Sequence, residues 1–413
     1  MNNTEHKAER YLLLAVACDE EEKAWASLEE LAELLETAGG EATEGIVQRL
    51  PHPDTATYVG SGKAQELCDL LDAYDADGIL CDDELSAVQI RNLSDITGVK
   101  VIDRTILILD IFAAHARTRE GKIQVEMAQL KYRQAHLKGI GTALSRLGGG
   151  IGTRGPGETK LETDRRAIQR KISALTAEIK SMKNVRETTR KRRMESAIPA
   201  IAIVGYTNAG KSTLLNKLTS SDVLAEDKLF ATLDPTTRVC TLDDGQGILL
   251  TDTVGFINKL PHNLIDAFRS TLEEARYADY IIHLVDGSDE AVRLHMDVVY
   301  RTLRELDITG KPVILVINKC DLPANEEPIF DRFADRTVMI SAKCGDGIDE
   351  LKEAISDILR RDRVFMDEII PFSEGAKTAK IRKYGQLLSE EYEADGIHIK
   401  AYIPASLYGI VYK

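Results

Sequence analysis

The chain of 413 residues contains no Cys-x-x-Cys pair; its six cysteines stand at positions 18, 68, 81, 240, 320 and 344. That scatter excludes a disulfide framework and a structural zinc site, and it fits a reducing, cytoplasmic compartment. Long hydrophobic runs are also missing. The longest, Ala197 to Tyr206, falls well short of the ~20 apolar residues of a membrane span and has the size of a buried strand. The N-terminus lacks a basic region followed by an apolar one, so no signal peptide is expected. No internal repeat or low-complexity tract interrupts the chain. With 43% hydrophobic and 29% charged residues, ordinary cores can form, and the length suggests about two to four domains.

Acidic charge dominates, with one exception. The net charge of −14 taken alone disfavours nucleic acid. Yet Arg117 to Glu195 holds 20 Lys/Arg against 8 Asp/Glu, a net +12, leaving 33 against 59 elsewhere, a net −26. A basic segment in an acidic protein is the footprint of a localised contact with a phosphate backbone; the plainer alternative is a solvated helical face. Inside it lies the glycine-rich stretch SRLGGGIGTRGPGETKLETDRR (145–166). This is not a nucleotide cradle, because it follows a helix rather than a strand and no Lys-Ser/Thr pair succeeds its glycines. Glycine instead lets a tip (Gly148, Gly149, Gly150) pack closely against RNA, with Arg146, Arg154, Lys160, Arg165 and Arg166 meeting phosphates.

Hydrophobic periodicity divides the chain into four parts. Residues 1–116 read as strand–helix alternation. Strands are expected at 11–17, 45–50, 78–81 and 100–104, and helices at 23–35, 64–73 and 85–96, an order that predicts a mostly parallel sheet. In residues 117–196 the period changes. Ile168, Ile172, Leu175, Ile179 and Met182 form a narrow apolar seam, matched by Ile123, Met127, Leu130 and Leu137. These predict a long antiparallel helical hairpin with the glycines at its tip. Residues 197–362 read as an α/β domain with strands at 201–204, 248–251, 280–285, 313–317 and 338–340. Residues 363–413 read as a small β-α-β-β unit. The fold class is thus α/β: a P-loop domain joined to an N-terminal α/β subdomain, a helical hairpin and a small C-terminal α+β domain.

The third part carries the chemistry. GYTNAGKS (205–212) matches G-x-x-x-x-G-K-[ST] between an apolar strand and a helix. Backbone N–H groups of Gly205, Tyr206, Thr207, Asn208, Ala209 and Gly210 can curl around a β-phosphate. Lys211 reaches the β- and γ-phosphates, Ser212 binds Mg²⁺, and Thr213 continues the helix start. In TDTVG (251–255), Asp252 can hold a Mg²⁺-bound water; Thr253 and Val254 lead to Gly255, whose N–H can meet the γ-phosphate. In NKCD (318–321), Asp321 can accept both N–H groups of a guanine edge, Asn318 buttresses the loop, and Lys319 and Cys320 complete it. Ser341, Ala342 and Lys343 follow the next strand, with the Ala342 N–H facing guanine O6. Four such peptides in this order, each at a strand end, predict GTP, Mg²⁺ and hydrolysis of the γ-phosphate. The intervening KLFATLDPTTR (228–238) offers Thr232, Thr236 or Thr237 as a threonine that senses the γ-phosphate through Mg²⁺. Phe256 stands where many GTPases place a water-orienting glutamine, so slow intrinsic turnover is expected, completed by a partner or by a monovalent cation. Asn208 offers a side-chain oxygen for K⁺; its alternative role is to form the turn. YVGSGKA (58–64) lacks the first P-loop glycine and the Ser/Thr, and reads first as a tight strand-to-helix turn, second as a phosphate or RNA contact.

Together, Val59–Lys63, GGGIGTRGPGETKLETDRR, GYTNAGKS, FATLDPTTR, TDTVGFI and NKCD make the chain resemble the HflX family of ribosome-associated GTPases, in the Obg–HflX superfamily, from about residue 10 onwards. The resemblance implies Thr232 as the Mg²⁺-ligating threonine, flanked by Phe230, Ala231, Leu233 and Asp234 at the nucleotide. It implies catalytic roles for Lys211, Thr232 and Gly255, and the large ribosomal subunit and its rRNA as partner. It further implies that the GTP-bound protein promotes dissociation of stalled or idle ribosomes under stress, and that the ribosome stimulates hydrolysis. Off the ribosome a monomer is expected. Other readings are an RNA-remodelling NTPase or ribosome assembly factor acting through the N-terminal domain and Lys63, a non-catalytic scaffold, and a GTPase of tRNA modification, for which no modifying domain is visible.

Overall fold

In the computed structural model, residues 8–147, 156–194, 198–219, 229–230, 235–260, 272, 274–323, 328–361, 363–404 and 408–409 are described, without the side chains of 138–147, 156–161, 183–194 and 383. The chain divides into two compact units. One comprises Met1–Met182, Lys228–Phe230 and Asn258–Phe268; the other comprises Lys183–Asp227, Ala231–Ile257 and Arg269–Lys413.

The first unit is built on four parallel strands, β1 (Arg10–Ala17), β2 (Glu41–Arg49), β3 (Gly78–Cys81) and β4 (Lys100–Asp103), in the order β2-β1-β3-β4. Residues 11–17 of β1 are all buried, as expected of a parallel strand covered on both faces. Four helices pack around the sheet: α1 (Glu21–Thr37), α2 (Ser61–Tyr74), α3 (Ala87–Thr97) and α4 (Arg104–His115). The expected strand 100–104 stops one residue early. Asp103 turns its Oδ1 to the Ile106 N–H at 2.9 Å, capping α4 and making Arg104 the first residue of a helix that the periodicity left unread.

Arg104 is 1% exposed, and its partner Asp82 is fully buried. The guanidinium donates to Asp82 Oδ1 at 2.6 Å and also pairs with Glu30, while Ser27 donates to Asp82 Oδ2 at 2.7 Å. Burial works against the charge on Asp82, but Arg104 and then Lys259 hold its carboxyl below the ordinary range. The helical pair follows. α5 (Arg119–Leu147) and α6 (Pro156–Met194) run antiparallel, as the pairs Arg119–Glu178, Glu126–Lys171 and Gln134–Gln169 require. Along residues 162–182 of α6, Ile172 alone is buried, and Ile168, Leu175, Ile179 and Met182 are half-buried in a mostly exposed helix. α5 docks on the sheet domain through Tyr132, whose hydroxyl donates to Asp103 at 2.9 Å.

In the second unit, six strands take the order β10-β9-β8-β5-β7-β6: β5 (Ala200–Gly205), β6 (Thr236–Thr241), β7 (Gly247–Asp252), β8 (Tyr280–Asp286), β9 (Val313–Asn318) and β10 (Arg336–Met339). All are parallel except β6. α7 (Lys211–Thr219), α8 (Val292–Glu305) and α9 (Ile348–Arg361) accompany them. β6 corrects the reading of 228–238 as one loop. Its β-branched run pairs with β7, Thr236 opposite Asp252 and Thr237 opposite Thr251, and Thr237 Oγ1 lies 2.9 Å from Thr251 Oγ1. The β-α-β-β unit follows as β11 (Arg363–Ile370), α10 (Gly375–Tyr384), β12 (Gln386–Tyr392) and β13 (Ile397–Pro404), an antiparallel sheet in the order β11-β13-β12 with Ile381 of α10 in its core. Among the described residues, no helix is long and apolar enough to cross a membrane.

Replacing Arg104 by methionine leaves Asp82 buried with Lys259 as its remaining charged partner and Ser27 as a neutral donor. Loss of one partner from a buried ion pair is expected to cost about 3–5 kcal/mol. Urea unfolding of the full chain checks this, and a loss below about 1 kcal/mol, the size of an exposed pair, would contradict it.

Candidate nucleotide site

Four parallel strands deliver the site. Because β5, β7 and β9, with β10 beside them, run in one direction, their carboxyl ends share an edge, where doubly wound sheets bind ligands. The loop after β5 enters α7 at Lys211. Asn208 adopts φ 58 and Gly210 φ +93, and a Cβ on Gly210 would stand 2.4 Å from Asn318 Nδ2, so that position admits only glycine. The left-handed backbone gives the exposed Asn208 a turn-forming role by itself.

Lys211 is buried, and its Nζ donates to the Tyr206 carbonyl at 2.7 Å. Burial pushes its ammonium down to about 8, and Asp252 draws it back only in part. Ser212 donates to Asp252 Oδ2 at 2.7 Å, joining the start of α7 to the end of β7. A hydroxyl and a carboxylate side by side form an oxygen-only pair that suits Mg²⁺. When bound, the ion would neutralise phosphate charge.

Gly255 lies against the P-loop, where a Cβ would come within 2.8 Å of Thr207 Cγ2 and 3.1 Å of Lys211 Nζ. The next residue, Phe256, is 2% exposed and pairs with the P-loop through its backbone. Its N–H donates to Gly205 O at 3.1 Å, and its carbonyl accepts the Thr207 N–H at 2.8 Å. A buried phenyl ring offers no group to orient water. Thr253 is also buried, donating to Ile203 O, and Val254 is buried beside it.

On the base side, Asn318 Nδ2 donates to Ala209 O at 2.8 Å while its Oδ1 accepts the Ala342 N–H at 2.9 Å. The Ala342 N–H expected to face guanine O6 is therefore engaged by Asn318. Ser341 donates to Asp321 Oδ1 at 2.6 Å and holds that carboxyl below the ordinary range. Lys319 pairs with Asp286 at 2.7 Å. Cys320 and Lys343 are exposed. Thr213 is half-buried on α7. Phe230 is buried in the first unit, edge-on to Phe112 at 4.6 Å. Ala231, Thr232, Leu233 and Asp234 lie outside the described residues, as do Gly148, Gly149, Gly150 and Arg154; Arg146 and Lys160 lie on helices whose side chains there are not described. Arg165 is exposed, and Arg166 pairs with Glu162 at 2.7 Å. Lys63 pairs with Glu66 at 2.8 Å, and the Gly60 N–H donates to Gln48. The Lys63 ammonium and the Gly60 N–H of the GSGK turn are thus both engaged within the protein.

A P-loop after a parallel strand, a carboxylate against its serine and an Asn–Asp loop beside it define a guanine-nucleotide-binding hydrolase of the P-loop class. Comparison with known proteins narrows this. Residues 25–113 match a family described as "GTP-binding GTPase N-terminal", residues 115–193 "GTP-binding GTPase Middle Region", and residues 200–319 "50S ribosome-binding GTPase". A protein of Lacrimispora saccharolytica named GTPase HflX is 55% identical, covering 97% of this chain and 95% of that protein. The Escherichia coli GTPase HflX is 41% identical, covering 91% and 89%. A solved GTP-binding protein from Sulfolobus solfataricus, in complex with GDP, is 26% identical over 85% of this chain and 98% of that one, with a TM-score of 0.44. The chain belongs to the HflX family of GTPases and hydrolyses GTP.

Only the protonated Lys211 attracts phosphate, so nucleotide binding must recharge it where it is neutral. GDP affinity is expected to be level below pH 7 and to fall as the pH rises through about 8, approaching tenfold per unit. Fluorescent GDP titration between pH 7 and 9 reads the break, and a flat profile would refute it.

Proposed function

We propose that this GTPase binds the large ribosomal subunit and, with GTP, promotes dissociation of stalled or idle ribosomes under stress, with ribosome-stimulated hydrolysis resetting it. The observation that carries the reading is the helical pair of α5 and α6. Its 117–195 segment bears a net +12, and most side chains of residues 162–182 are exposed, Arg165, Arg166, Arg170 and Lys171 among them. The description "50S ribosome-binding GTPase" over 200–319 supports the same partner. We assign domains to 1–116, 117–196, 197–362 and 363–413. Lys211, Thr232 and Gly255 act on the phosphates, Ser212 and Thr232 hold Mg²⁺, and Asn318, Asp321 and Ser341–Lys343 receive the base. K⁺ beside Asn208, or the ribosome, supplies what the buried Phe256 cannot. An RNA-remodelling reaction through Lys63 finds less support, because Lys63 is paired with Glu66 and the Gly60 N–H with Gln48.

GTP turnover measured with and without purified large subunits, in KCl and in NaCl, tests the reading. Stimulation of at least about tenfold, or more than 1.4 kcal/mol in the barrier, is expected. It should vanish when Gly148–Gly152 and Arg154 are replaced. No stimulation by subunits would refute the ribosomal partner, and equal rates in the two salts would refute K⁺.

A further inference from the structure

The ring of Tyr206, the second residue of the P-loop, lies flat against the imidazole of His295 on α8, with centroids 3.7 Å and planes 11° apart. The helix places that imidazole. Val292 and Met296 of α8 are buried with Val285, Leu315 and Ile317, and His295, on the same side of the helix, sits half-exposed at the margin of this contact. Its Nδ1 pairs with Asp289 Oδ2 at 2.7 Å. Asp289 is fixed in turn, because its Oδ1 accepts the Ala291 N–H at 2.8 Å where α8 begins. Burial works against the charge on Asp289, but His295 holds the carboxyl below its ordinary range.

Tyr206 is held from two directions. Along the sheet, its neighbours bond to Phe256, Gly205 O accepting the Phe256 N–H and the Thr207 N–H donating to Phe256 O. From α8, the stack holds its ring. Between these anchors, the Tyr206 carbonyl accepts the Lys211 ammonium at 2.7 Å and the Ala209 N–H at 3.4 Å. Lys211 is buried, where its charge is disfavoured, so the position of this carbonyl governs where the ammonium sits. The segment that ends in His295 also meets the base side. The Gly287 N–H donates to Asn318 O at 2.8 Å, and Asp286 pairs with Lys319.

We propose that His295 is a positioning residue for nucleotide binding: by stacking on Tyr206 it fixes the carbonyl that aims Lys211 at the β-phosphate. The proposal rests on Lys211 holding the phosphates and is independent of the ribosomal reading. Every group it uses lies in the second unit. Replacing the half-exposed His295 leaves Val292 and Met296 in their buried contact, so the helix stays in place.

Affinities for GDP and GMP are measured on the full chain for wild type, His295→Ala, His295→Phe, Tyr206→Leu, the Tyr206→Leu/His295→Ala double variant and Lys211→Met. His295→Ala should weaken GDP binding about fivefold, inside the roughly two- to thirteenfold that a stacked aromatic pair is worth. GMP affinity should change by less than about twofold, because GMP has no β-phosphate for Lys211 to reach. Phenylalanine keeps a flat ring over Tyr206 and should restore GDP affinity to within about twofold. The double variant should bind GDP about as well as the weaker single variant, since both changes remove one contact. Unchanged GDP affinity in His295→Ala, an equal loss for GDP and GMP, failure of phenylalanine to rescue, or losses that add in the double variant overturn the proposal. Loss of the preference for GDP over GMP in Lys211→Met, with full GDP affinity in His295→Ala, overturns it while sparing the role of Lys211; a preference kept in Lys211→Met overturns both.

Discussion

One carboxamide keeps the loops of the nucleotide site in register. Asn318 ends β9, buried, and divides its amide between two other loops: its N–H goes to the P-loop carbonyl of Ala209, and its oxygen takes the N–H of Ala342 after β10. A buried amide left unpaired would cost about 1–3 kcal/mol, so each loop is held by the other's need for a partner. Gly210 follows from the same constraint, since a Cβ there would stand in the amide's place. The arrangement requires parallel strands. Only when β5 and β9 point the same way do the loops after them reach a common amide.

The first unit solves a similar problem with charge. Buried carboxylates are tolerated where donors surround them, and Asp82 has a guanidinium, an ammonium and a hydroxyl. Asp103, one strand over, is held by backbone N–H groups of Leu85 and Ile106 and by the Tyr132 hydroxyl, although burial pushes its carboxyl up. Two short segments from beyond residue 182 also belong to this unit, at Phe230 and at Lys259. Each carries a non-glycine residue with positive φ. Such conformations persist where the surroundings over-determine them, here a T-shaped ring contact on Phe112 and a pair of aspartates.

Much of this was legible in the residues, for a physical reason in each case. Strands covered on both faces must be continuously apolar, so YLLLAVA, GILC and VILVI announce themselves. Phosphate loops need glycine and lysine at fixed spacing. The seam of α6 survives because a thin helical contact leaves its period uncovered by other apolar residues. The failures are equally specific. α4 was hidden because RTILILDIFAAH is apolar on nearly every side, with no 3.6-residue contrast, and its start depends on Asp103 folding back as a cap. β6 was hidden because a run expected to sense nucleotide also pairs as a strand. The Lys259–Asp82 contact spans 177 residues, and no local pattern encodes a charge whose partner is chosen by topology.

The shape of α6 is the last element to explain. A helix of 39 residues rises about 58 Å at 1.5 Å per residue. Packing does not demand such length. Of the described side chains from 162 to 182, only Ile172 is buried, and the ion pairs to α5 are exposed ones that contribute little, typically below about 1 kcal/mol each. α5 also meets the sheet domain, Tyr132 through Asp103 and His136 through the Leu85 carbonyl. What remains is an arm with a thin seam, a glycine-rich joint and excess positive charge, in a chain that is otherwise strongly acidic. Its charge is concentrated in one segment rather than spread among the carboxylates of the rest of the chain. It can meet a phosphate surface that the acidic remainder would repel. Under the ribosomal reading proposed above, the length of the arm and the acidity of the rest are then two sides of one electrostatic requirement.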